Sequence, residues 1–491
     1  MTGGISFGPF GPDPEPTDDP RHPELDDDSS DIIPDSPPLD LRTVEAILDQ
    51  RWPETRIDPT LARIQSLLDL LGNPQHAYPV IQIAGTNGKT SVARMVDALL
   101  TSLGLRTGRF ISPHLQLVTE RISLDGVPID PDSYVRTYAD IAPYVDMVDA
   151  ASARDGGVRL SKFEILTAMA FAAFADAPVD VAVVEVGLGG TWDTTNVVDA
   201  AVAVITPVGL DHQDYLGDTM ESVAGNKAGI IKQGATVVIG PQQQTALDVL
   251  LRRAIEMDAT VARYGSEFTV EQREMAVGGQ RLTLQGLGAV YSDVFLPLSG
   301  EHQAANASVA LAAVEAFLGA GRSGELNSDA VLDGFAAVSS PGRLERVRTS
   351  PTILVDAAHN PHGATALATA LQSDYNFARL VGVLAVMRDK DATGILEALV
   401  GVLDEVVVTV NSSPRSMPAE ELADLAREVF GDQRVQVADR MDDAIVLAVD
   451  MAEAGNDDSP SANGPYGTGI IVTGSVVSAG DGRSLAGLTP S

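Results

Sequence analysis

The chain has 491 residues, 44% of them apolar and 21% charged, a formal net charge of −35 and no cysteine. At roughly 150 residues per domain there is room for two or three folded units, and the composition is that of a globular protein. The charge argues against nucleic acid or an anionic membrane surface as the main partner, and the missing thiols exclude disulfides, thiolate catalysis, iron–sulfur clusters and Cys-type zinc sites.

Residues 1–40 are dense in Pro and Asp (PDPEPTDDP, ELDDDSSD). Such a stretch cannot bury enough apolar surface to offset its ordering entropy, so a disordered acidic tail is expected. It has neither the basic n-region nor the apolar h-region of a signal peptide. No apolar run approaches the ~20 residues of a membrane helix, so a cytoplasmic protein with no membrane partner is expected.

Helix and strand signals alternate from Leu41 onward. Leu61–Leu71 has helical periodicity and stops at Gly72. Val80–Ala84 (VIQIA) reads as a short buried strand running into GTNGKTS, with a helix over Val92–Leu103 behind it. Val179–Val186, Ala200–Ile205 and Thr236–Ile239 are further β-rich runs separated by helix-length segments. Continuous apolar strands bounded by helices predict a parallel sheet covered on both faces. A poorly periodic, antiparallel-looking stretch ends near LPLSGE (296–301), where the pattern restarts. A long helix over Gln303–Leu318 follows. Strands then recur at Thr352–Val355, Leu380–Val386, Glu405–Val410 and Gly469–Val472, a second and smaller α/β unit. Ala454–Gly467 reads as a polar surface loop. The expected division is therefore 1–40 tail, 41–297 first domain and 298–491 second domain.

Gly85-Thr86-Asn87-Gly88-Lys89-Thr90-Ser91 lies between a strand and a helix. Holding a polyphosphate takes several backbone N–H groups aimed at one spot, a helix N-terminus and a lysine that reaches the outer phosphates. The loop has all three, although Ile83 stands where the generic G-x-x-x-x-G-K-[ST] pattern has its first glycine. Ligands of open α/β sheets collect at the carboxyl ends of the strands, where Ser112, Glu185 and His212 are expected. A carboxylate directly after a buried apolar run is hard to explain as packing and fits a Mg²⁺ that bridges phosphates. Gly187-Leu188-Gly189-Gly190 is no dinucleotide fingerprint, because Trp192 stands at the third glycine position. The second unit repeats the logic in VDAAHNPHG (355–363), with Arg343 on the turn PGRLE, His302 and Asn306 at the start of the long helix, and MRDKD (387–391) after another strand.

IAGTNGKTS, FISPHL, ERISLDG, FEILTAMAF, VVEVGLGGTWDTTN, GLDHQDYLG, NKAGIIK, GEHQAANA, PGRLE, DAAHNP, MRDKD and VTGS, in this order, resemble the dihydrofolate synthase/folylpolyglutamate synthase branch of the Mur-ligase-like amide ligases from about residue 41 to the C-terminus. Mur cell-wall ligases share the phosphate loop and the AHNP element but carry an additional N-terminal domain, for which the roughly 45 residues from Asp40 to Ala84 are too few. The resemblance implies a two-domain α/β fold, a P-loop domain with a mostly parallel sheet plus a smaller Rossmann-like C-terminal domain. It implies an ATP-dependent, ADP-forming ligase that adds L-glutamate to dihydropteroate and to tetrahydrofolates through an acyl phosphate. A monofunctional polyglutamylase, a Mur-type ligase acting on another carboxylate and an NTP-driven regulatory protein remain as alternatives.

By the same resemblance, Thr86, Asn87, Gly88, Lys89, Thr90 and Ser91 would hold the ATP phosphates. Ser112 and Glu185 would bind one Mg²⁺, and Glu185 with His212 a second. Lys227 matches a lysine that CO₂ converts to a carbamate, and a monovalent cation such as K⁺ is also implied. Asn306, Arg343 and Asp356 would contact the nucleotide from the C-terminal domain. His359 and Ser475 would seat glutamate. Ile57, Asp58, Pro59, Phe163, Glu164, Trp192, Asp193 and Thr194 would line the pterin side, although Thr191-Trp192 replaces the basic and aliphatic residues of the usual Gly-Gly-Arg-Leu-Asp loop. A monomer is expected.

Overall fold

The computed structural model describes residues 39–52, 58–320, 324–454 and 467–490. Most of the acidic tail, Ile57 and the loop 455–466 lie outside the described residues. Asp40 is inside them, and its carboxylate caps the helix Leu41–Asp49 by accepting from the Thr43 amide.

Eight strands make the first sheet: β1 (Val80–Ala84), β2 (Thr107–Phe110), β3 (Ile122–Leu124), β4 (Val127–Pro128), β5 (Val181–Glu185), β6 (Val202–Ile205), β7 (Thr236–Ile239) and β8 (Thr260–Arg263). Their order is β4-β3-β2-β5-β1-β6-β7-β8, parallel from β2 to β8 and antiparallel at the β3–β4 edge. All five residues of β1 are buried, as expected of a central strand with helices on both faces. One face packs on the helix Lys89–Ser102 and the long helix Glu301–Leu318. The other packs on the helices Leu41–Asp49, Ala62–Leu70, Pro131–Arg154 and Lys162–Asp176.

The stretch read as antiparallel is a separate three-stranded meander, β9 (Thr269–Ala276), β10 (Gly279–Gln285) and β11 (Val290–Leu296). A six-stranded sheet follows, from β12 (Glu345–Thr349), β13 (Thr352–Val355), β14 (Arg379–Leu384), β15 (Glu405–Val408), β16 (Val435–Val437) and β17 (Thr468–Thr473). Its order is β12-β13-β17-β14-β15-β16, with β12 alone antiparallel. Apolar clusters cover both its faces.

Packing divides the chain later than residue 297. The helices Glu301–Leu318 and Ser328–Ala336 share a core with β1, β5, β6 and the helix Lys89–Ser102, so both belong to the larger lobe. The restart at LPLSGE is where the chain leaves the meander and turns back over the first sheet. Asn306 therefore approaches the phosphate loop from the same lobe, not from the C-terminal domain.

Strand β2 escapes a reading by apolar runs because it contains Arg109. That guanidinium is 4% exposed, lies 2.5 Å from the Asp97 carboxylate and donates to the Ser123 hydroxyl at 2.8 Å. Asp97, on the helix Lys89–Ser102, is 1% exposed. Removing one member of so deeply buried a pair leaves the other charge uncompensated. Arg109→Met is expected to cost about 3–5 kcal/mol in urea unfolding, and a loss below about 1 kcal/mol would contradict the burial of this pair.

Candidate active site

The carboxyl ends of β5, β1 and β6 are adjacent in the first sheet, and the loops leaving them converge. Gly85, after β1, has φ +150°, and any side chain there would overlap the Thr206 hydroxyl at the end of β6. The loop is held from that side. The Thr86 amide donates to the Pro207 carbonyl at 2.9 Å, and the Thr86 hydroxyl exchanges hydrogen bonds with the Gly209 backbone at 2.9 and 3.0 Å. Gly88, with φ +85°, caps the helix Lys89–Ser102, and a Cβ there would stand 2.7 Å from the Asn306 side-chain oxygen. Asn306 continues a buried chain in which its amide donates to Gln303 at 3.1 Å and Gln303 donates to the Ser91 hydroxyl at 3.3 Å. Lys89 folds back over its own loop, its ammonium donating to the Thr86 carbonyl at 3.2 Å.

Glu185 ends β5 and is 1% exposed. The Thr90 hydroxyl donates to its Oε1 at 3.0 Å, while Oε2 is buried without a hydrogen-bond partner. Burial pushes the Glu185 acid up from its ordinary value; the Lys89 charge, the Thr90 hydroxyl, Arg343 and the Ser112 amide oppose this. The Thr90 hydroxyl and the Ser112 amide thus meet one carboxylate that has an oxygen to spare. A spare carboxylate oxygen beside a threonine hydroxyl suits Mg²⁺, which takes oxygen ligands. Among the described residues no three His, Asp or Glu side chains gather into a metal cluster, and His212 has other partners. Its Nε2 lies 3.4 Å from the Lys390 ammonium and 3.9 Å from Asp211.

Lys227 ends the helix Met220–Lys227 and is 4% exposed. Its ammonium donates to the Gly85 carbonyl at 2.8 Å, beneath the phosphate loop. Burial, with the Lys89 charge second, lowers it to about 7.

The C-terminal lobe closes on this loop through a turn after β13. Asn360 and Asn87 exchange side-chain hydrogen bonds at 3.2 and 3.3 Å, and the Asn87 amide also meets His362 Nδ1 at 2.8 Å. Asp211 takes Lys390 at 2.7 Å and the Asn360 amide at 3.0 Å, with His359 Nε2 at 3.8 Å. Burial alone would raise the Asp211 acid, but Lys390 and the two imidazoles hold it well below the carboxylate range. His359 and His212 are each lowered to about 4, chiefly by burial, and are neutral at pH 7. Sequence reasoning left Asp211 and Asn360 out of the site. Their only signal was position, one beside His212 and the other inside the DAAHNP block.

Asp356, at the end of β13, clamps the turn that presents Arg343 by accepting from the Leu344 amide at 2.9 Å and the Ala358 amide at 2.8 Å. Arg343 lines a cavity of about 240 Å³ between that turn, the β9–β10 hairpin and Tyr375. Ser475 is spent as a cap. It accepts from the Ser478 amide at 2.9 Å and from the Asn411 amide at 3.0 Å, and His359 bonds instead to the Ala357 carbonyl.

On the pterin side, Phe163 and Glu164 open the helix Lys162–Asp176. Glu164 is 1% exposed and accepts from Arg63 Nε at 3.0 Å and from the Ser161 amide at 2.7 Å. Arg63 also reaches the exposed Asp58 at 2.6 Å and stacks over Trp52. Pro59 is exposed. Asp193 faces inward, capping its own turn through the Leu188 and Thr195 amides. Thr194 pairs with Thr167 at 2.8 Å, and Trp192 packs against the cluster around Leu216.

Two family models match the chain: Mur ligase middle domain over residues 159–314, and Mur ligase, glutamate ligase domain, over 342–464. Dihydrofolate synthase/folylpolyglutamate synthase of Mycobacterium tuberculosis is 58% identical over 460 residues, covering 92% of this chain and 94% of that protein. The chain belongs to the dihydrofolate synthase/folylpolyglutamate synthase family. The Escherichia coli member is 35% identical over 371 residues, covering 74% of this chain and 81% of its own length. The solved Mycobacterium tuberculosis folylpolyglutamate synthase complexed with ADP superposes with a TM-score of 0.88 at 57% identity, covering 92% of this chain and 99% of the other. Escherichia coli FolC in complex with DHPP and ADP gives 0.76 at 29% identity, covering 91% and 97%. The two-lobed arrangement of a Mur-type ligase is thus the family's own.

The buried amine of Lys227 has a consequence for stability. Its folded value of about 7 lies below the 10.5 of an unperturbed lysine, so the unfolded chain binds more protons between these limits. Stability from this group is lost as pH falls through that window and regained as pH rises. In CO₂-free buffer, wild-type stability measured by urea unfolding at pH 7 to 9 should rise relative to Lys227→Met by up to about 1.4 kcal/mol per pH unit. Parallel pH dependences would show that the amine is not held neutral.

Proposed function

We propose that this protein is a bifunctional, ATP-dependent ligase that joins L-glutamate to dihydropteroate and to reduced folates. The observation that carries the reading is the closure of Asn360, His362 and Lys390 of one lobe onto Asn87 and Asp211 of the other, directly over a phosphate loop. A site made of two lobes can bring a nucleotide on the first to a carboxylate and an amine held against the second.

A carboxylate is a poor acyl donor in water. One of its oxygens attacks the γ-phosphorus of ATP in line, the new O–P bond forms, the bond to the β-phosphate oxygen breaks, and ADP leaves. The glutamate α-amine, as the free base, then attacks the acyl carbon. The tetrahedral intermediate loses inorganic phosphate, and the amine proton is given up to a base. Lys89 and the loop amides Asn87–Thr90 would balance charge on the transferred group. Thr90, Ser112 and Glu185 would hold Mg²⁺, which supplies further neutralisation of phosphate charge when bound. Glu185 and His212 would hold a second ion only with the Lys390 ammonium moved away from the imidazole. Closure of the lobes keeps water from the acyl phosphate.

Lys227 suits carbamate formation. At physiological pH a large share of it is free amine, its nitrogen can bond to the carbon of CO₂ with loss of a proton, and the product would place an anionic oxygen below the loop. Arg63, Asp58, Phe163 and Glu164 would border the pterin, while Asp193 would shape its wall from within.

The test is ADP release with Mg-ATP and L-glutamate, comparing dihydropteroate with tetrahydrofolate. Both acceptors are expected to support glutamate-dependent release, and Lys89→Ala should lower it by about a hundredfold or more with either. Turnover with tetrahydrofolate alone would leave a monofunctional polyglutamylase. Full activity of Lys89→Ala would remove the phosphate loop from the reaction.

A further inference from the structure

We infer that Arg483, on the helix Val476–Leu485, is a positioning residue that ties the loop carrying Ser112 to the turn carrying Arg343, so that a metal-bearing segment of one lobe and a nucleotide-bearing segment of the other close as one piece. The inference rests on the roles proposed above for Ser112 and Arg343.

Arg483 is 4% exposed, and its guanidinium spans three segments. Nη1 donates to the Gln116 side-chain oxygen at 2.5 Å, Nη2 to the Thr489 carbonyl at 3.2 Å, and Nε lies 2.9 Å from Glu345. Glu345 is part of the Arg343 turn, since the same carboxylate oxygen accepts from the Gly342 amide at 2.8 Å. The Gln116 amide answers from the other lobe, donating to the Ser484 hydroxyl and the Leu488 carbonyl, each at 3.0 Å.

Gln116 sits in a stiff segment. The buried Glu120 carboxylate accepts from three successive amides, Leu115, Gln116 and Leu117, at 2.8, 3.0 and 2.9 Å. Ser112 lies three residues before that brace. Leu115 is pressed against the other lobe: its side chain would meet a Cβ at Gly342 at 3.2 Å, and its carbonyl leaves no space for a side chain at Gly480. Taking a guanidinium this far out of water is costly, and an apolar side chain would join the lobes at lower cost. What the guanidinium adds is direction. Its Nη1 hydrogen bond is aimed at Gln116 while its charge lies against Glu345, with no hydrogen bond from Nε, so one group holds both segments, as partners behind a metal site hold its ligands.

The test is binding of a fluorescent N-methylanthraniloyl-ADP to the full chain, titrated once with Mg²⁺ and once in EDTA, with the ratio of the two affinities as the readout. Ser112→Ala is expected to reduce that ratio. Gln116→Leu and Arg483→Met should reduce it to a similar extent, about tenfold, while affinity in EDTA stays within about twofold of wild type. Gln116→Glu, which keeps an acceptor for Arg483, should recover most of the ratio. Should Arg483→Met fail to fold, the half-buried Gln116→Leu decides. An unchanged ratio in Gln116→Leu alongside a reduced one in Ser112→Ala overturns the tie, and so does an equal loss with and without Mg²⁺. An unchanged ratio in Ser112→Ala removes the metal role of Ser112 and the tie with it.

Discussion

Burial raises the acid of a carboxylate that is 1% exposed, with one oxygen hydrogen-bonded and the other bare, unless positive charge is brought to it. Glu185 is in that condition, and the surrounding architecture addresses it. The charges of Lys89 in the first lobe and Arg343 in the second, with the Thr90 hydroxyl and the Ser112 amide, oppose the effect of its burial. All arrive by way of strand ends, because only there do backbone amides and side chains of several strands point into one space. The phosphate loop and the buried acid are therefore one device.

Closure of the lobes follows from the same electrostatics. Asp211 is half of an ion pair whose other half, Lys390, lies 179 residues later in the chain, and Asn87 and Asn360 are 273 apart. Such contacts form only between finished lobes, and each uses a group beside the phosphate loop. The protein's net charge of −35 does not prevent positive charge from gathering at the site, because Lys89, Arg343 and Lys390 stand where the strands end.

Local chemistry was enough to read much of this chain. Strands β1, β7 and β13 coincide with the mainly apolar runs Val80–Ala84, Thr236–Ile239 and Thr352–Val355, since a strand buried on both faces is written as a nearly continuous apolar word. Gly85–Ser91 was legible because backbone approach to phosphate demands glycine at particular places. The blocks shared with the family extended this to Ser112, Glu185 and the turn after β13. Strand β2 was not legible, because Arg109 breaks its apolar pattern and only its pairing with Asp97 makes burial tolerable.

Other features needed the folded chain. No periodicity assigns the helix Glu301–Leu318 to the first lobe; it is apolar nearly all round, and what it packs against is settled by the route of the preceding meander. Asp193 and Ser475 have side chains suited to binding a substrate, yet the fold spends them on capping backbone amides, a choice that depends on turn geometry. The sequence by itself determined which elements form and where a phosphate can be held, since both depend on residues near one another in the chain. Tertiary structure alone decided which distant charges meet, Asp211 with Lys390 and Arg483 with Glu345, because an ion pair depends on distance in space and the chain records only order.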